Sequence, residues 1–296
     1  MKKRILALTL AAMLLLGMAS CVTPSPAIDT DRDGNPIVLP ASIDKVISLG
    51  PSNTEILVAL GCADKIIAVD TYSVNVDGIP DNIPLFPDLT QIDCEQLIVL
   101  EPDVIFATGM VQVESDNPLK PISDVGICVI YIPSSDSIKG IYDDIRFIAS
   151  VMGEKKSGDK IVSDMEKEIK AIKAIGDKIT NKKTVYFDIG FPYSLGSGTF
   201  INEMIEIIGA VNIFADQNSW IRIADEAVLD ANPDVILTCV YWAPISDITG
   251  RPGWDVISAV KNGDVYYIEN DSSNRPSQNI IKALKEMAQA VYPDKF

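Results

Sequence analysis

The chain contains no histidine. That absence removes Ser-His-Asp and Cys-His catalysis, His-ligated zinc or manganese capture and His-ligated haem. Cysteine is sparse and poorly spaced for metal or redox work. Cys62, Cys94, Cys128 and Cys239 form no CxxC pair, so neither a zinc knuckle nor a redox motif is supported. Cys128 and Cys239 lie in the apolar runs GICVIYI and VILTCVY and read as small core residues; free thiols are expected. Basic charge is also short. Against 41 Asp and Glu stand 25 Lys and Arg, a net charge of −16. Such a surface repels nucleic acid and anionic lipid headgroups and suits a soluble protein that meets a basic patch on a partner. The apolar run from Ile5 to Met18 falls short of the roughly 20 residues that a comfortable transmembrane helix needs.

What that run does have is context. Lys2, Lys3 and Arg4 precede it and Ala19-Ser20-Cys21 closes it, so residues 1–20 read as a secretory signal peptide. Leu16-Gly17-Met18-Ala19-Ser20-Cys21 resembles a bacterial lipobox, with Met18 where leucine is common. The resemblance implies that Cys21 becomes the lipidated first residue, anchoring a soluble body to the outer face of the cytoplasmic membrane. Residues 21–40, rich in proline and small polar residues, read as a tether.

Beyond the tether the chain repeats itself. Residues 95–106 contain EQLIVLEPDVIF, and residues 226–237 contain EAVLDANPDVIL. In each copy a glutamate, Glu95 or Glu226, stands seven residues before a Pro-Asp pair that opens an apolar run. Each copy reads as the last turns of a helix, broken by proline, then a buried strand of parallel type. Two copies mean two similar α/β lobes with a cleft between them, and two matched glutamates offer a partner a two-point handle.

Strand and helix patterns alternate throughout, so each lobe is expected to hold a mostly parallel sheet flanked by helices. Residues 41–150 form the N-terminal lobe and residues 182–296 the C-terminal lobe. In the first, Ser52 and Glu55 stand at capping-box spacing. Residues 151–181 hold the connection, a long amphipathic helix in which Ile161, Met165, Ile169, Ile172, Ile175 and Ile179 recur every three or four residues. Ligands of such sheets bind beyond the carboxyl ends of the strands. That rule puts the loops with Tyr72, Tyr193, Trp220 and Asp271 around the cleft.

Four motifs in this order, VISLGPSNTEILVALG, EQLIVLEPDVI, GAVNIF and NRPSQNIIKALKEMA, resemble the substrate-binding lipoproteins of bacterial ABC importers. Within these the chain is similar to the vitamin B12-, siderophore- and haem-binding branch with a single helical connector, over roughly residues 43–293. The resemblance implies a monomeric binding protein, not an enzyme, that delivers a corrinoid such as cobalamin, or an iron chelate, to a membrane permease. Haem or another metal chelate is the alternative ligand. It implies that Glu95 and Glu226 dock into basic pockets of the permease. It also implies ligand contacts from Tyr72, Trp220 and the polar pair Asp271 and Arg275. Phe86, the large ring nearest a tryptophan position of the vitamin B12 binder, joins them. Tyr193 and Arg222 add a phenol and a charge suited to an anionic siderophore or to haem. Trp242 is added because TCVYWAP follows a strand end, whereas Trp254 reads as core. Large rings bury flat apolar surface, which suits a bulky macrocycle better than a sugar or an amino acid.

Rival readings have less support. Paired catalytic carboxylates would need Asp188 and Asp271 to meet in the cleft at roughly 5–10 Å. A free-metal receptor needs a cluster of hard or imidazole ligands, and without histidine no such cluster stands at ligand spacing. No resident cofactor, metal or nucleic acid is expected.

Overall fold

The computed structural model describes residues 28–86, 92–111 and 117–296. The signal peptide and Cys21 lie outside the described residues. The first lobe carries β1 (Val46–Leu49), β2 (Ile66–Asp70), β3 (Leu85–Phe86), β4 (Val104–Thr108) and β5 (Cys128–Ile132). These pair in parallel in the order β3-β2-β1-β4-β5. The second lobe carries β6 (Thr184–Asp188), β7 (Tyr193–Leu195), β8 (Val211–Asn212), β9 (Trp220–Arg222), β10 (Val235–Thr238) and β11 (Val265–Tyr267). Its parallel sheet runs β11-β10-β6-β8, and β7 and β9 form a separate antiparallel ribbon. The central strands β1, β4 and β10 are buried at every residue. Helices cover both faces of such sheets, which is why these strands read as continuous apolar runs rather than alternating ones.

The repeat has a physical basis in both copies. Cys94–Val99 and Asp225–Ala231 are the whole of each helix, so Glu95 and Glu226 stand in the first turn and not the last. An acidic side chain there complements the positive end of the helix. The chain then turns through a left-handed residue, Glu101 at φ 50° or Asn232 at φ 43°, and the following proline forbids further helix. The aspartate of each Pro-Asp pair ties the entry of the neighbouring strand. Asp103 Oδ2 accepts the N–H groups of Asp44 and Lys45 at 2.7 and 2.8 Å. Asp234 Oδ2 accepts the N–H of Thr184 at 2.8 Å and its hydroxyl at 2.9 Å. The motif that marks the duplication thus registers the first strand of each lobe against the strand beside it.

The connection is a 22-residue helix, Lys155–Gly176. Its buried stripe is Gly158, Val162, Met165, Ile172 and Gly176, while Ile175 is exposed, so the face is rotated slightly from the isoleucine register. Glycines seat both ends. A Cβ on Gly158 would come within 2.4 Å of Ala149 Cβ on the Ile138–Val151 helix of lobe one. A Cβ on Gly176 would come within 2.3 Å of the Ile207 carbonyl oxygen of lobe two. Ile37 and Leu39 pack on the first-lobe core, and Asp31 and Arg32 engage the β5 edge through the backbone of Tyr131. The Arg32 guanidinium pairs with buried Asp144 at 2.7 Å. The later part of the expected tether is therefore a strap on lobe one.

Burial also sets an alkaline limit on the fold. It pushes the phenols of Tyr131 and Tyr142 up to about 12 and the Cys128 thiol to about 11. A group whose folded pKa is raised adds stability below its ordinary value and loses it as pH rises through the folded one. Thermal melting should therefore hold up to about pH 9, begin to fall as the Cys128 thiol enters its window, and fall steeply between about 10 and 12 as the two phenols follow. A melting temperature that stays level across pH 10–12 would show that these groups do not link folding to pH.

Candidate functional site between the lobes

The first strand of each lobe ends at the same cleft. Pro51 follows β1 through Gly50, and Ile189 follows β6 directly; both line the cleft, together with Tyr72 just past β2 and Tyr241 and Trp242 past β10. This is the position beyond the strand carboxyl ends expected for ligands of parallel sheets. Gly50 is required here, because a Cβ would meet Thr108 Cγ2 at 2.2 Å.

A buried aspartate closes a strand under the ligand loop in each lobe. Asp70, the last residue of β2, accepts the Tyr72 N–H at 2.8 Å and the Ser73 hydroxyl at 2.6 Å. Ser73 continues to Thr54 and Thr54 to Ser48, a buried hydroxyl chain. Burial raises the Asp70 carboxyl above its ordinary range, and these hydrogen bonds oppose the rise. Asp188, the last residue of β6, accepts the Gly190 N–H at 2.8 Å and Arg251 Nη1 at 2.6 Å. The Arg251 guanidinium lies 5.0 Å from the Phe191 ring and 4.5 Å from the Trp254 ring, which fixes the loop after β6. Asp188 is fully buried and held by Arg251, so it does not meet Asp271 in the cleft.

The cleft, about 500 Å³, is lined by Tyr72, Trp220, Tyr241, Trp242, Asp271 and Arg275 among others. Its four rings are 45, 54, 65 and 42% exposed in that order. Large rings left open on both lobes around one cavity represent apolar surface awaiting a ligand. The polar floor comes from the short helix Asn270–Asn274 and the residue after it. Asn270 Oδ1 accepts the Tyr241 N–H at 3.1 Å, and Asn274 Oδ1 accepts the Trp242 indole N–H at 3.0 Å. Arg275 Nη2 meets Asp271 Oδ1 at 2.9 Å and the Tyr72 carbonyl oxygen at 2.9 Å.

The structure thus brings Tyr72, Trp220, Trp242, Asp271 and Arg275 together. Tyr193 and Arg222 are exposed partners across the β7–β9 ribbon, beside Trp220 but not lining the cleft. Phe86 is elsewhere: it is 6% exposed in the first-lobe core and borders a groove near Glu95, because β3 tucks its ring beneath the sheet edge. Trp254 is wholly buried, and its indole N–H bonds Asp225 at 2.7 Å, steadying the helix that carries Glu226. Glu95 and Glu226 are both exposed. Sequence reasoning missed Pro51, Ile189, Tyr241, Asn270 and Asn274. Of these, only Tyr241 carried a signal, as a ring beside Trp242 after an apolar run. It also missed Glu55, which makes no capping box. Instead its carboxylate takes Arg275 Nη1 at 2.9 Å and the Ser277 hydroxyl, both from the other lobe. Burial raises the Glu55 carboxyl, and the bonds from Ser277 and Arg275 work against that rise. Cys62, Cys94, Cys128 and Cys239 are free thiols. Among the described residues no group of three or more acidic or cysteine side chains could hold a metal ion.

Residues 46–272 match the family profile of the periplasmic binding proteins. The chain belongs to that family. The ABC transporter substrate-binding lipoprotein YvrC of Bacillus subtilis, itself uncharacterised, is 32% identical over 100% of this chain and 99% of its own length. A vitamin B12-binding protein of Vibrio cholerae is 26% identical, covering 93% of this chain and 96% of the relative. A solved periplasmic solute-binding protein of Staphylococcus epidermidis, described as a possible iron-binding protein, is 29% identical. It superposes with a TM-score of 0.76 over 85% of this chain and 99% of its own. This periplasmic binding protein is the substrate-binding component of an ABC transporter, with two parallel sheets flanked by helices as the sequence led one to expect. No helix among its described residues is long and apolar enough to cross a membrane.

Proposed function

We propose that this binding protein captures a corrinoid and hands it to an ABC permease, and that Cys21 carries the lipid that holds it at the outer face of the cytoplasmic membrane. The observation that carries the ligand is the charge balance of the cleft. Among the described residues its one lining cation, Arg275, already faces two carboxylates, Asp271 and Glu55, both at 2.9 Å. An anionic chelate would find no unpaired positive charge among the described lining residues. A flat macrocycle decorated with neutral amides suits the site: rings for its faces, and Asn270, Asn274 and Asp271 for its amide edges. The relative named for vitamin B12 binding supports the same ligand. Binding and release by this route need no bond-making step, so the role is transport and not catalysis.

One feature favours haem as a second reading. Tyr193 and Arg222 stand opposite each other on the ribbon beside Trp220, a phenol for iron and a cation for a propionate. Tryptophan-fluorescence quenching separates the two, since Trp220 and Trp242 are two of the three tryptophans. Titration with cyanocobalamin, cobinamide, haem and ferric siderophores should give saturable quenching below about 1 μM only for the corrinoids, within the affinity span of specific binding. Saturation by haem alone would transfer the assignment to the ribbon. Saturation by a ferric siderophore alone would refute the charge-balance argument.

A further inference from the structure

Arg275 is the partition between two cavities. On one side lies the ligand cleft. On the other lies a second cavity of about 360 Å³, lined by Glu55, Val76, Glu269, Ser272, Gln278 and Lys282 among others. The stretch Arg275–Gln278 of lobe two crosses to the Pro51–Ala59 helix of lobe one and its neighbouring loop through four contacts. Arg275 Nη1 donates to Glu55 Oε1 at 2.9 Å and Nη2 to the Tyr72 carbonyl at 2.9 Å, the Ser277 hydroxyl donates to Glu55 Oε2, and Gln278 Nε2 donates to the Glu55 carbonyl at 3.1 Å. Another polar tie crosses between the lobes at a distance from the cleft, from the Ile138 N–H to the Glu203 carboxylate at 3.0 Å.

A buried ion pair is a poor source of stability, because desolvation consumes most of the attraction and an apolar pair of like volume often serves as well. It does impose one geometry, since both carboxylate oxygens and both guanidinium nitrogens are directed. Here that geometry governs ligand groups. The same guanidinium that meets Glu55 also holds the Tyr72 backbone on lobe one and the Asp271 carboxylate on lobe two. We infer that Glu55 is a positioning residue for the cleft: through Arg275 it fixes the lobe spacing at which Tyr72 and Asp271 face one ligand. Glu55 does not line that cleft. The affinity arm of the test rests on the corrinoid reading; the exchange arm does not.

Hydrogen exchange on the purified full chain without ligand should show Glu55→Gln speeding exchange at residues 51–59 and at residues 270–279 together, with other segments unchanged. Faster exchange at residues 51–59 alone, or at neither, overturns the inference. With cyanocobalamin, Glu55→Gln should weaken binding about tenfold, a scale on which preorganisation acts. Adding Arg275→Met to Glu55→Gln should weaken it no further than the worse single change, because both break one coupled unit. Additive losses overturn the inference. If Glu55→Gln does not fold, Ser277→Ala removes one donor to Glu55 and should give the same paired exchange response at lower amplitude; no paired response there overturns it too. Wild-type protein that ignores cyanocobalamin rejects the corrinoid assignment, and the exchange result then judges Glu55 alone.

Discussion

Replacing Glu95 and Glu226 together with alanine should abolish permease-dependent uptake while leaving ligand affinity unchanged. Each carboxylate is exposed, at the second position of a short helix, and the two occupy equivalent points of a duplicated unit. No partner within the chain competes for either among the described ion pairs. A docked carboxylate buried against a permease cation is worth about 2 kcal/mol or more, roughly 30-fold in affinity for the permease, and two engage at once. Single changes should therefore weaken uptake, and the double change should remove it. Transport assays in cells or proteoliposomes, with ligand binding measured in parallel, give the answer. Normal uptake by the double variant would eliminate the docking role. The alternative, that both glutamates merely favour their helix ends, predicts a small loss of stability and intact transport.

Trp220→Ala should lower ligand affinity about 30-fold, in keeping with about 2 kcal/mol for an aromatic anchor at the centre of a contact. The side chain stands on the ribbon, more than half exposed and facing the cleft, so its loss opens no cavity in the core. Melting temperature should stay within a few degrees of wild type, the range of surface substitutions. Trp220→Phe should recover most of the affinity if, as proposed, the ligand stacks on the ring face, which phenylalanine also offers. Unchanged affinity in Trp220→Ala would remove the aromatic cleft from the account of binding, whatever the ligand.

The contrast between what sequence revealed and what it hid follows the range of each interaction. The longer strands of both sheets were legible because a parallel strand covered on two faces must be apolar throughout, as in VIFAT at β4 and VILT at β10, whereas the two-residue edge strands β3 and β8 and the β7–β9 ribbon are too short to carry that pattern. The repeat was legible because a proline stop is local. The roles of Asp103 and Asp234 were not, since each ties a strand start more than 45 residues away in the chain. Ser52 and Glu55 followed the capping-box rule in spacing alone. Pro51 opens that helix without a side-chain cap, and a guanidinium from 220 residues later claims the Glu55 carboxylate. Phe86 misled for a related reason. Proximity in sequence to a ligand-facing position says nothing about which face of a two-residue edge strand a ring takes.

The glycine seats of the Lys155–Gly176 helix have a mechanical consequence. With backbone against backbone at Gly176 and backbone against the Ala149 methyl at Gly158, neither joint has a long side chain to absorb rotation. The helix therefore behaves as a spindle fixed in both bearings, and relative motion of the lobes reduces to a twist about it. Far from the spindle a small angle becomes the largest displacement. A catch placed beside the ligand cleft, off the axis of that helix, needs only a few hydrogen bonds to resist such a rotation.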